Sequence, residues 1–160
     1  MNKFMNKEDY YNIYPPVLPL LERFPDLINL VKPVETILEE NGIEVSPIDF
    51  PSIMGLCVKK GSRSFIGYKE GVANYIKEEI LLHELTHLVL HNENTLCLVG
   101  DMVSKLEVEA WKVTAVILIP KKFKFESTKD EDFYIENYLT SEDGLIRSPM
   151  LINLRNSMRL

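Results

Sequence analysis

The chain has 160 residues, enough for one domain with a substantial core. At 46% hydrophobic and 26% charged it has the balance of an ordinary globular protein rather than a disordered one. The net charge of −6 and the lack of a long basic run disfavour direct nucleic-acid binding, and no apolar stretch is long enough to cross a bilayer.

The opening MNKFMNKEDYYNIYPP lacks the apolar stretch of a secretory leader. The only cysteines, Cys57 and Cys97, read as free thiols, so a reducing, cytoplasmic setting is expected. The first fifty residues are rich in proline. Between the prolines, PDLINLV and PVETILEENG read as short helices, with Pro33 suited to a first helical position and Gly42 to the residue just past a helix end. The aromatics of DYYNIYPP are expected to pack.

MGLCVKKGSRSFIGY comes next. Met54, Leu56 and Val58, then Phe65 and Tyr68, flank a Gly61-Ser62 turn, which is a β-hairpin pattern. Ala73 to His91 reads as a long helix with Asn74 as its cap and Ile76, Ile80, Leu81, Leu85, Leu88 and Val89 at helical spacing. A loop leads to a second helix, Ser104 to Ile119, ended by Pro120. The tail is polar and then helical, closing on LINLRNSMRL with Arg155 and Arg159 four apart. Strands precede the main helices, so the predicted class is α+β.

All three histidines fall within LLHELTHLVLH. Residues four apart on a helix lie on one face, about 40° apart. His83 and His87 therefore point the same way and can share one cation, and zinc accepts imidazole nitrogen well. Glu84 lies about 100° around the helix, beside the ion rather than under it. That placement suits a general base acting on a water molecule whose pKa the zinc lowers towards 7. HELTH is the H-E-x-x-H pattern of zinc peptidases, which arises by chance in roughly one of a few hundred chains of this length.

A third protein ligand is needed. His91 is set aside: it stands about 12 Å up the axis from His83, with no glycine to turn the chain back. It reads as a helix-end residue suited to the C-terminal dipole. In KLEVEAWKVTAVILIP, Glu107 shares a face with Ala110, Trp111, Thr114 and Leu118, and the small residues allow close approach to the zinc helix. Glu107 is therefore the predicted third ligand. Glu109 points elsewhere, towards Val113 and Val116, and is read as an orienter of a ligating histidine. The alternative for both acids is a solvated helix start, where they favour the dipole. Tyr68, Tyr75 and His91 are the candidates for stabilising an oxyanion. The cysteines read as buried or incidental thiols.

At these residues the sequence resembles the ImmA/IrrE family of bacterial and phage metallopeptidases, over roughly residues 35–125. The order of features carries the resemblance: NGIEV, the GLCVKK and FIGY hairpin, HELTHLVLH, then EVEAWKVTAVILIP. Glu107, Glu109, Ala110, Thr114, Ile117, Leu118 and Pro120 fall on the family's pattern. Thr86 stands where the family has glycine, Trp111 where it has Asp or Asn, and Thr114 where it has alanine.

The resemblance implies a zincin-like fold, a small antiparallel sheet or hairpin packed on an active-site helix, and a second helix bearing Glu107. Together with the length and the reading of the ends, one metallopeptidase domain over 1–160 is expected, with an N-terminal helical segment (1–45), a zincin-like core (46–125) and a C-terminal helical tail (126–160). The resemblance further implies zinc held by His83, His87 and Glu107, with Glu84 as the catalytic residue, and a helix-turn-helix repressor as the protein substrate. Cleavage would release a mobile element, a prophage or a stress response from repression. The rival expectation is a zinc-bearing scaffold that displaces the repressor by binding alone.

Overall fold

The computed structural model describes residues 4–51, 53–91 and 101–122, the last stretch with side chains from 105 to 118. Cys97, the 126–160 tail and its LINLRNSMRL end lie outside the described residues.

The proline-rich start folds as short helical pieces. Helix α1, Lys7–Ile13, opens on a capping box: Asn6 Oδ1 accepts from Asp9 N, and the Asp9 carboxylate accepts from Asn6 N. A 3₁₀ turn at Pro15–Val17, α2 at Leu18–Arg23 and a 3₁₀ segment at Pro25–Leu30 follow. PDLINLV is thus not the expected helix. Ile28 is extended (ψ 119°) and Asn29 is left-handed (φ 60°). Asn29 has other partners: its Oδ1 accepts from Met5 N at 2.9 Å, its Nδ2 donates to Met5 O at 2.7 Å, and its N–H donates to the Tyr10 hydroxyl at 2.9 Å. Asparagine tolerates the left-handed region, so these tertiary bonds override local helix preference. Tyr10 is fully buried, while Tyr11 is 45% exposed, so the expected aromatic packing holds for one and not the other.

Helix α3, Val34–Glu40, has Pro33 as its cap rather than its first residue, and Gly42 ends it at φ +78°. Strands β1 (Ile43–Ile48), β2 (Gly55–Lys60) and β3 (Arg63–Lys69) form one sheet in the order β1-β3-β2. The hairpin is as read: β2 and β3 are antiparallel about a tight turn with Gly61 at φ +61°. The purely antiparallel sheet is corrected, because β1 pairs in parallel with β3. IEVSPI hides this strand, since its alternation is short and Pro47 interrupts it. As an edge strand β1 tolerates that proline.

Helix α4, Asn74–Leu90, is capped by Ala73 without a side-chain bond, so Asn74 is its first residue and not its cap. It packs against β2 and β3 on one side and α5, α3 and α2 on others, which explains why Leu81, Leu82 and Leu85 are all fully buried. Helix α5, Asp101–Lys122, runs past Pro120 instead of stopping before it. A proline removes one N–H donor, but its fixed φ is helical, so a final turn can pass through it. Tyr10, Leu20, Phe24 and Ile37 meet Leu85 of α4 and Val116 of α5 in one core. The architecture is α+β, and among the described residues no helix is long and apolar enough to cross a membrane.

Candidate metal centre

One turn of α4 separates His83 from His87. Their Nε2 atoms lie 3.2 Å apart and their rings meet edge to face at 4.8 Å. Helix α5 delivers Glu107 to the same point: Oε2 is 3.0 Å from His83 Nε2, and Oε1 is 2.8 Å from His87 Nε2. One ligand atom from each of the three residues falls within 4.8 Å of the others. The close approach is possible because Ala110 and Thr114 are small and buried. Thr114 Oγ1 donates to Ala110 O, and Thr86 Oγ1 donates to Leu82 O, each at 2.8 Å. Both hydroxyls are thereby satisfied within their own helices. Thr86 is fully buried, so its extra bulk does not face an open substrate side.

Two imidazole nitrogens at 3.2 Å facing one carboxylate need a proton or a cation between them. Two nitrogens and a carboxylate oxygen are a donor set that zinc accepts, and Glu107, with a side chain 44% exposed, leaves the group open on one side. Burial alone would raise the Glu107 carboxyl. Hydrogen bonds to His83 and His87, then their charges, hold it well below the usual carboxylate range. No family model, curated protein or solved structure matches this chain. The site's own geometry therefore carries the functional reading.

The two rings are held by different means. Trp111 lies against His83, ring centres 4.1 Å apart at 38°, while His83 Nδ1 is buried with no hydrogen-bond partner among the described residues. His87 Nδ1 meets His91 Nδ1 at 2.9 Å, and His91 Nε2 meets Glu109 Oε1 at 2.8 Å. His91 does end the helix, its N–H donating to His87 O at 2.9 Å, but its ring is buried and fully engaged. It is therefore not free as an oxyanion donor. Glu109, read as pointing towards Val113 and Val116, turns to the end of α4 instead. The four-residue spacing of His83, His87 and His91 was the signal for a third ring on this stripe.

Glu84 lies under β2. A Cβ on Gly55 would come 3.2 Å from both Cγ and Oε1 of Glu84 and 2.5 Å from Ile80 Cγ2. Gly55→Ala should therefore push α4 from the strand and cost about 1–3 kcal/mol. Denaturant midpoints would show it, and an unchanged midpoint would mean the contact yields freely. Cys57, two residues along the same strand, shares that face, and its thiol acts on the Glu84 carboxyl. Burial pushes the Glu84 carboxyl up, against the pull of His83, His87 and the Cys57 thiol. Burial first, and then the Glu84 charge, pushes the Cys57 thiol up to about 12. Because only the thiolate is nucleophilic, Cys57 should alkylate with iodoacetamide at pH 8 far more slowly in the native chain than in the unfolded one. Equal rates by timed-quench mass spectrometry would contradict this environment.

Of the tyrosines, Tyr68 packs beside Ile80 and Trp111 and lies beneath Lys77 Nζ, 4.7 Å from the ring centre. Lys77 also pairs with Glu35. Tyr75 sits in the first turn of α4, 46% exposed.

Proposed function

We propose that this chain is a zinc-dependent endopeptidase of the ImmA/IrrE kind, with a zincin-like fold, acting in the cytoplasm. The convergence of His83, His87 and Glu107, with Glu84 next in the chain after His83, carries this reading. His83 and His87 would hold the ion through Nε2 and Glu107 through its carboxylate. When bound, zinc polarises the scissile carbonyl and acidifies the attacking water. The Glu84 carboxylate takes the proton of that water and hands it to the leaving amine. Its buried setting, which raises its pKa, favours holding that proton between the two transfers. Strand β2 pairs only with β3 among the described residues, so an extended peptide could join its outer edge above Glu84.

The helix-turn-helix repressor enters through the resemblance of HELTHLVLH and EVEAWKVTAVILIP alone. A scaffold that binds the repressor without cutting it is the second reading. Trp111 favours it, because among the described residues His83 Nδ1 has no acceptor to strengthen its ligation. The test is zinc-loaded protein mixed with the purified repressor encoded beside it, followed by mass spectrometry. Fragments with wild type and none with Glu84→Gln support the peptidase. Release of the repressor from its operator by both proteins, without fragments, supports the scaffold.

A further inference from the structure

The chain of contacts from Glu109 through His91 to His87 has a direction. Glu109 Oε1 lies 2.8 Å from His91 Nε2, and a carboxylate only accepts, so Nε2 of His91 carries the hydrogen. A neutral His91 then presents a lone pair at Nδ1, which faces His87 Nδ1 at 2.9 Å. His87 Nδ1 must therefore carry the hydrogen and donate it. With an ion in place, that leaves His87 Nε2, the atom 2.8 Å from Glu107 Oε1 and 3.2 Å from His83 Nε2, as the ring's coordinating position; without one, the same rule puts a hydrogen on this nitrogen, donated to Glu107. The two rings of the relay are shielded from water, the side chain of His91 being 4% exposed and that of His87 9%, while the Glu109 side chain is 34% exposed. The carboxylate comes from α5 and the rings from α4, so the helix pairing that brings Glu107 in also sets this relay.

We infer that Glu109 and His91 are positioning residues: together they fix the tautomer of His87 and aim its Nε2 at the ion. The claim about the ion rests on the zinc reading above. The claim about the tautomer rests on it too, because an ion at Nε2 is what leaves Nδ1 as the place for the His87 hydrogen.

Two measurements decide it. Nitrogen-detected imidazole spectra of the zinc-loaded chain at pH 8 should show hydrogen on Nδ1 of His87, and on Nε2 but not Nδ1 of His91. Zinc affinity, measured against a chromophoric chelator, should fall roughly ten- to hundred-fold in His91→Phe and in Glu109→Ala. His91→Phe keeps the ring volume and removes both nitrogens. Glu109→Gln keeps an acceptor oxygen and should stay closer to wild type. The double variant His91→Phe with Glu109→Ala should lose no more than His91→Phe alone, because the two act in one chain. A bare Nδ1 on His87, or unchanged zinc affinity in folded His91→Phe and Glu109→Ala, would overturn the relay. If wild type itself takes up no zinc, the proposed function fails and the relay with it; zinc uptake that does not depend on His91 and Glu109 overturns the relay alone.

Discussion

Glu107→Ala protein should contain no zinc and wild type one per chain, by elemental analysis after loading and removal of excess metal. The carboxylate supplies the only negative charge in the three-residue group and reaches both histidines from the other helix. Its loss leaves two neutral nitrogens on one helix turn, too few for a closed zinc site. The penalty should exceed the roughly ten- to hundred-fold expected for a supporting partner such as Glu109. Stability should change little by comparison. Glu107 has a 44% exposed side chain, and ion pairs so open to water contribute about 0–1 kcal/mol. A full equivalent of zinc retained by Glu107→Ala would place the metal somewhere other than this cluster.

Glu84→Gln should keep its zinc and lose about 10²- to 10⁴-fold in cleavage rate. Glutamine matches the carboxylate in size beneath Gly55. What it cannot do is take the proton of the attacking water. Burial disfavours the charged carboxylate, so the neutral amide should leave the thermal midpoint equal or slightly higher. A normal rate with Glu84→Gln would remove Glu84 from the chemistry.

The parts of this site legible in the sequence are those encoded within one element. The four-residue spacing of His83 and His87 needs only a helix to bring the rings together. Glu107 was legible because Ala110 and Thr114 mark the face of α5 that can come close. The Gly61-Ser62 turn announced the hairpin. What escaped depends on contacts between elements. Asn29 breaks a plausible helix for the sake of Met5 and Tyr10, which lie 24 and 19 residues away. Strand β1 exists because β3 offers it a parallel edge, and Pro47 masks it. Glu109 is legible as an orienter of a histidine, but that its partner is His91, which in turn meets His87, follows only once α4 and α5 are laid side by side.

His83 and Glu107 are 24 residues apart in the chain and 3.0 Å apart in space. An ion gripping both would act as a removable cross-link, closing a loop as a disulfide does and trimming the freedom of the unfolded chain. Folding and zinc supply would then be thermodynamically coupled: each tenfold rise in free zinc above the dissociation constant adds about 1.4 kcal/mol to the folded state. Metal starvation would thus do more than silence the chemistry. It would loosen the seam between α4 and α5, and expose the chain to unfolding and turnover.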